Sequence, residues 1–215
     1  METSFAFAIN PSAGWHPVTS DPEEVEAARR AGEASLREFP YYVERYGERG
    51  RFFAASDGAW LVNLAAGGGE YVERQVLWLG TVLASRGMPR WLLERHLELL
   101  HDELGRARPR DAGRYRPLLD AAALLRGLRE RRIPPAVFRG LALEFAARVG
   151  PEWSRRLPGM GGILAAAVAD EADGIANAVA SVEPWATDPT VFPPIWVAAV
   201  RATLAEARES ARPPS

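Results

Sequence analysis

Apolar residues recur at helical spacing along most of this chain, in runs that are bounded by glycine and proline. The clearest start is Asp21-Pro22-Glu23-Glu24, where a capping aspartate precedes a proline and two acids suited to a first helical turn. No alternation of apolar and polar residues lasts more than a few positions, as strands would require. The pattern predicts an all-α fold, a compact bundle of about eight or nine helices. The predicted helices are residues 21–39, 41–46, 56–66, 70–86, 90–104, 118–132, 136–149, 161–182 and 195–208.

Two segments depart from this helical pattern. Residues 1–20 combine aromatic side chains with prolines, which predicts an extended N-terminal arm. Residues 105–117 hold five arginines together with Pro109 and Gly113, which is typical of a linker. We therefore expect an arm over residues 1–20 and a single all-α domain over residues 21–212. A division into two helical subdomains near residues 105–117 is the alternative.

Composition excludes several kinds of chemistry and of location. The chain has no cysteine, so disulfides, thiolate metal sites and cysteine nucleophiles are excluded. Every basic residue is arginine, which also excludes Schiff-base and P-loop lysines. The first 18 residues lack the basic and apolar regions of a signal peptide, and no run is long enough to span a membrane. We expect a cytoplasmic protein with no membrane partner.

Charge is distributed unevenly along the chain. Residues 1–104 carry ten arginines and sixteen acids, whereas residues 105–139 carry ten arginines and three acids. The net charge of −2 argues against nucleic acid as a partner. The basic segment could receive an anionic ligand or neutralise the acidic parts of the fold, and we favour neutralisation.

Glu171 stands where an apolar residue would be expected. Leu164, Val168, Ile175 and Val182 form one stripe of the helix predicted over residues 161–182, and Glu171 falls inside that stripe. A buried carboxylate must be paired, hydrogen-bonded or protonated, because its desolvation is costly. Glu171 is therefore the candidate catalytic residue and a candidate ligand-binding residue.

A second polar residue interrupts an apolar arc. Gln75 lies among aromatic and aliphatic residues that include Trp78, in the helix predicted over residues 70–86. A buried amide needs several hydrogen-bond partners. Gln75 and Glu171 could line one polar pocket or could bond each other between packed helices, and we favour the structural pair.

The histidines do not form a metal site by their spacing. His96 and His101 share one predicted helix but are five residues apart and point in different directions. Glu98 and His101 have the spacing of a di-iron site, but no second such pair exists, so with Glu94 they are expected to form a surface ion cluster. His96 alone, beside leucines, is a candidate axial haem ligand or a histidine at the core edge.

Two further groups of polar residues are candidate ligand sites. The residues Asp170, Asp173 and Asn177 could hold Mg²⁺ beside a phosphate, although a solvated polar face explains them more simply. No metal is therefore expected. The residues Arg45, Arg49 and Arg51 lie around two glycines and are candidates for anion binding, with ion pairs to the acidic first helix as the favoured alternative.

The chain holds no nucleophile elbow, Walker motif, dinucleotide fingerprint or zinc-protease motif. We therefore expect a non-enzymatic helical module for regulation, scaffolding or protein–protein contact, which binds a protein partner or a second copy of itself. The first alternative is a sensor for a small apolar molecule or for a haem-like tetrapyrrole, with the cofactor itself unknown. Its pocket would hold Gln75, Trp78, His96 and Glu171. The second alternative is an enzyme that uses Glu171 as a general acid or base.

Overall fold

The computed structural model describes residues 4–5 and 15–211, and for Ser4, Phe53 and Ala54 only the backbone. This part of the chain forms ten α-helices, so the predicted all-α fold is confirmed. A 3₁₀-helix over Pro109–Tyr115 precedes the sixth α-helix. The helices are α1 Pro22–Glu38, α2 Tyr41–Tyr46, α3 Glu48–Ala65, α4 Gly69–Ala84, α5 Arg90–Ala107, α6 Arg116–Arg132, α7 Pro135–Arg156, α8 Met160–Ala172, α9 Ala178–Ala186 and α10 Pro194–Ser210.

The predicted N-terminal arm is extended where the structure describes it. Strand β1 (Ser4–Phe5) pairs antiparallel with strand β2 (Pro17–Val18). Residues 6–14 of the predicted arm lie outside the described residues. Helix α1 follows, and its predicted cap is confirmed, since Asp21 accepts hydrogen bonds from the backbone N–H groups of Glu23 (2.9 Å) and Glu24 (3.2 Å).

The single helix predicted over residues 161–182 is wrong. The chain ends α8 at Ala172 and begins α9 at Ala178. Between them, Gly174 has a φ of 91° and Asn177 a φ of 63°, and this left-handed backbone cannot continue a right-handed helix. The split changes the direction in which every side chain after residue 172 points, and it accounts for the tenth helix.

The segment predicted as a linker is folded. Helix α5 extends to Ala107, the 3₁₀-helix covers most of the remainder, and Tyr115 is completely buried. The compact units also divide the chain elsewhere, because one contains residues 1–76 and 94–124 and the other residues 77–93 and 125–215. Residues 105–117 therefore belong to the first unit.

Each unit is built around its own helix packing. In the first unit, α3 packs against α1, α2, β2 and the 3₁₀-helix. In the second unit, α8 packs against α7, α9 and α10, and α10 also packs against α7. Within the described residues, no helix has both the length and the apolar character that crossing a membrane would require.

Helix α8 lies close to α7 near its N-terminal end. A Cβ atom on Gly161 would lie 2.7 Å from Phe145 Cβ and 2.9 Å from Ala142 Cα, both on α7. Side chains essentially never approach so closely. The glycine is therefore required at this position by the crossing of α7 and α8.

Replacing Gly161 with alanine should lower the free energy of unfolding by about 1–3 kcal/mol, because the new methyl group meets backbone that cannot move aside. Urea unfolding followed by tryptophan fluorescence measures this change. The matched control is Gly140→Ala on α7, where a Cβ atom meets nothing within 4 Å. That variant should gain up to about 1 kcal/mol from helix propensity. Equal effects of the two substitutions would contradict the close crossing.

Candidate functional site

The second unit contains a cluster of large aromatic side chains around the N-terminal end of α10. Phe192 stacks on Trp196, with ring centroids 4.8 Å apart and an interplanar angle of 8°. Trp153 lies 5.2 Å from Trp196 and 5.7 Å from Phe192. The buried indole N–H of Trp196 donates to the carbonyl of Ala186 at 3.0 Å. These contacts hold the start of α10 in one position.

The opposite face of α10 is exposed and apolar at its N-terminal end. Ile195 is 57% exposed, and Val191 just before the helix is 45% exposed. From Ile195 the outer residues follow the spacing of three and four that is typical of a coiled-coil seam. The residues of this outer face of α10 are Ile195, Ala198, Ala202, Ala205 and Glu209.

Charged side chains border this outer face. Arg201 is exposed next to Ala202. Glu206 is partly exposed next to Ala205 and binds both terminal nitrogens of Arg148 on α7, at 2.8 and 2.6 Å. An apolar centre with charges of both signs at its border resembles a protein-binding surface in composition.

A buried ion cluster lies elsewhere in the second unit. The carboxylate of Asp170 on α8 accepts from the backbone N–H of Arg90 at 2.8 Å and from its Nε at 2.6 Å. Asp173 accepts from Arg90 Nη2 and from Arg132 Nη2, both at 2.9 Å. Asp170 is only 2% exposed, so its charge is compensated within the protein and not by water. Asp170 also satisfies a backbone donor at the first turn of α5.

The prediction that Glu171 is buried is wrong. Its side chain is 43% exposed and lies 3.7 Å from the guanidinium of Arg208. The predicted stripe assumed one helix through Val182, whereas the chain leaves α8 directly after Ala172. The carboxylate that the core encloses is that of the preceding residue, Asp170. The catalytic role of Glu171 stays a prediction.

The solvated face predicted for Asp170, Asp173 and Asn177 is also wrong for the two aspartates, which bind Arg90 and Arg132. Asn177 is exposed and directly precedes α9 in a left-handed conformation, with no capping hydrogen bond from its side chain. Among the described residues, no group of three or more histidine or acidic side chains is placed to hold a metal ion.

His96 lies in the interior of the first unit. Its Nδ1 forms a 2.8 Å hydrogen bond with the hydroxyl of Ser35, and its Nε2 has no hydrogen-bond partner among the described residues. Nε2 is inaccessible to solvent and faces Gly58, whose added Cβ would lie 3.5 Å away. Burial lowers the pKa of His96 to about 4. This close packing against α3 leaves Nε2 without the open side that a haem iron needs.

The other predicted ligand-binding residues lie in different environments. Gln75 is partly buried and belongs to the first unit, whereas Trp78 is about half exposed and, like Glu171, belongs to the second. A pocket shared by Gln75 and Glu171 stays a prediction.

The predicted anion-binding arginines are not gathered at one point. Arg45 donates to the hydroxyl of Tyr41 and lies over the ring of Tyr46 at 4.9 Å. Arg51 forms an ion pair with Glu48 at 3.2 Å, and Arg49 is exposed. The structure thus gives Arg45 an aromatic environment, and anion binding by these residues stays a prediction.

The surface ion cluster predicted from Glu94, Glu98 and His101 is wrong for Glu94, which is buried on α5. Glu98 instead binds Arg95 at 2.6 Å, and His101 lies 3.5 Å from Asp102. A helix with leucines on several sides is surrounded by protein on those sides, and polar residues there are buried as well. Periodicity alone therefore did not predict that Glu94 is buried.

The basic segment supplies partners for acidic residues of the fold, of which Glu24 is buried. In the first unit, Glu24 is 1% exposed and accepts from the hydroxyl of Tyr115 at 2.8 Å. Arg114 lies 3.0 Å from the same carboxylate oxygen, and Thr19 donates to the other oxygen. Arg108 binds Asp111 at 2.8 Å and also contacts Asp21. These contacts support the prediction that the basic segment neutralises acidic residues within the fold.

Comparisons with known proteins found no relative of this chain. No family model matches the chain, and no curated protein or solved structure matches it.

Sequence reasoning placed Asp170 on a solvated face and missed its partner Arg90. One signal was available, because the residues around Asp170 are small or apolar on all sides of α8 rather than on one stripe. A helix of that composition is enclosed on nearly all sides, and a carboxylate buried in it needs a partner within the protein.

Replacing Asp170 with asparagine should lower the free energy of unfolding by about 3–5 kcal/mol, because Arg90 loses a buried counter-charge. The matched control is its neighbour, in the variant Glu171→Gln, which should change stability by less than about 1 kcal/mol since that side chain is exposed. Denaturant unfolding of both variants makes the comparison. A larger loss for Glu171→Gln would restore the buried role predicted for Glu171.

His96 should make stability depend on pH. Its folded pKa of about 4 lies below the unfolded value of about 6.5, so its contribution is complete above the unfolded pKa and is lost as pH falls towards the folded one. From pH 7 to pH 5, the natural chain should lose about 2 kcal/mol more than His96→Asn, which cannot titrate. Urea unfolding at both pH values measures this difference. Parallel pH profiles for the two proteins would show that His96 is not protonated on unfolding.

Proposed function

We propose that this protein is a helical interaction module that pairs with a second copy of itself through the outer face of α10. The observation that carries the proposal is the exposure of Ile195 and Val191 directly above the rigid aromatic cluster of the second unit. An exposed apolar side chain on a fixed support loses little conformational freedom when a partner covers it.

The second copy is favoured by the pattern of the outer face. Ile195, Ala198, Ala202 and Ala205 occupy the positions that face a partner helix when two helices pair in parallel. Three alanines in this seam allow the helix axes to approach closely. A two-fold pairing brings each of these residues against its own equivalent, so the interface is self-complementary.

Charge complementarity supports the same pairing. In a parallel pair, the residue before the first seam position of each seven-residue repeat faces the residue five positions later on the partner helix. Arg201 precedes Ala202, and Glu206 lies five positions after Arg201. In this pairing, Arg201 of one copy therefore lies opposite Glu206 of the second copy.

Replacing Ile195 with aspartate tests the proposal. We expect the natural chain to sediment as a dimer at high protein concentration, and Ile195→Asp to raise the dimer dissociation constant at least about tenfold, because a charge is buried without a partner. Sedimentation equilibrium over a range of concentrations measures both constants.

The matched control is Leu143→Asp on α7, since Leu143 is 72% exposed but does not belong to the outer face of α10. Its dissociation constant should equal that of the natural chain. A natural chain that remains monomeric at every concentration would contradict the proposal, and so would an equal weakening by Leu143→Asp.

A further inference from the structure

One position of the outer face of α10 carries a charge. Ile195, Ala202 and Glu209 follow one another at intervals of seven residues, so they occupy equivalent positions of the seam. The first two side chains are apolar, whereas Glu209 is an exposed carboxylate. Seam residues lie between the two helices of a pair, so a charge at this position affects which partner helix can be accepted.

A second copy of the chain brings two such carboxylates together. In the parallel two-fold pairing proposed above, each seam residue lies opposite its own equivalent, so Glu209 of one copy faces Glu209 of the other. Like charges that are held close together at an interface repel each other. Glu209 therefore opposes the pairing of identical copies that Ile195 favours.

The charged residues next to Glu209 already have partners within the second unit. Glu206 binds Arg148 of α7 at 2.6 Å, and the guanidinium of Arg208 lies 3.7 Å from Glu171 of α8. Among the residues that the structure describes, the ion pairs of α10 do not include Glu209. The negative charge of Glu209 is thus available to a partner helix.

The end of α10 is also an unfavourable place for an acid. Glu209 lies in the last turn of the helix, which ends at Ser210. The carbonyl groups at a helix C-terminus carry partial negative charge, so an acidic residue is disfavoured there and a cation is favoured. A basic side chain on a partner helix would therefore be attracted both to Glu209 and to the end of α10.

We propose that Glu209 is a specificity-determining residue of the outer face of α10. It selects a partner helix with a basic residue at the facing position over a second natural copy of the chain. The rest of the partner's seam is small and apolar, to match Ile195 and the alanines. This inference rests on the pairing proposed above. Two natural copies still pair through Ile195 at high protein concentration, but less tightly than the mixed pair.

The full chain with Glu209→Arg serves as the basic partner in the test. The chain contains no lysine, so an amine-reactive dye labels the natural chain only at its N-terminal amine. Fluorescence-detected sedimentation then gives the dissociation constants of labelled natural chain for unlabelled natural chain and for unlabelled Glu209→Arg. We expect the second constant to be at least about threefold lower, because an ion pair replaces two like charges. The difference should disappear in about 1 M NaCl, which screens both interactions.

The matched control is Glu152→Arg, which makes the same change of charge at an exposed residue of α7 outside the outer face of α10. Labelled natural chain should bind this variant as tightly as it binds the natural chain. Labelled Glu209→Arg should bind the natural chain more tightly than it binds itself, because two arginines then face each other. An equal gain for Glu152→Arg would overturn the proposal, and so would a Glu209→Arg chain that prefers itself.

The failure of this proposal differs from the failure of pairing through α10. If natural copies pair and Ile195→Asp weakens them, but Glu209→Arg binds the natural chain no more tightly than a natural copy does, only the role of Glu209 is wrong. If labelled natural chain binds neither the natural chain nor Glu209→Arg at any concentration, both proposals are wrong.

Discussion

Helix α8 is enclosed by protein on nearly all sides, and most features of the second unit follow from this enclosure. Eleven of its thirteen residues are buried, which leaves room only for small side chains where α7 crosses it. Gly161 is the clearest consequence, because its neighbours on α7 occupy the space of a side chain. Asp170 is the other, because a carboxylate inside this packing must be compensated by protein groups. Arg90 supplies both a guanidinium and a backbone donor, and so connects the start of α5 to the end of α8.

The same packing determines which surface of α10 is available. Trp196 directs the inner face of α10 towards α7 and α8, and Phe192 anchors the segment before the helix. The outer face is then left exposed, and Ile195 projects from it. The proposed pairing therefore depends on the core of this unit, since a loosened aromatic cluster would also disorder the surface above it.

The enclosed polar groups differ in how completely the protein satisfies them. Glu24 has a hydroxyl, a phenol and a guanidinium around it, and Asp170 has a guanidinium and a backbone donor. His96 has one partner for its two ring nitrogens, and it is kept neutral by burial. Structural roles explain the satisfied groups fully.

The sequence by itself determined the helical class, the capped start of α1 and the exclusion of cysteine and lysine chemistry, because helical periodicity, capping residues and composition act locally. It did not determine which acid of α8 is buried. Asp170 and Glu171 are adjacent and differ by about 100° around the helix axis, so the choice depends on where the helix ends and what surrounds it. The left-handed backbone at Gly174 follows the end of α8, and the helices packed on α8 bury Asp170 while Glu171 stays exposed. Burial is a property of packing between segments distant in sequence, and only the tertiary structure could assign it.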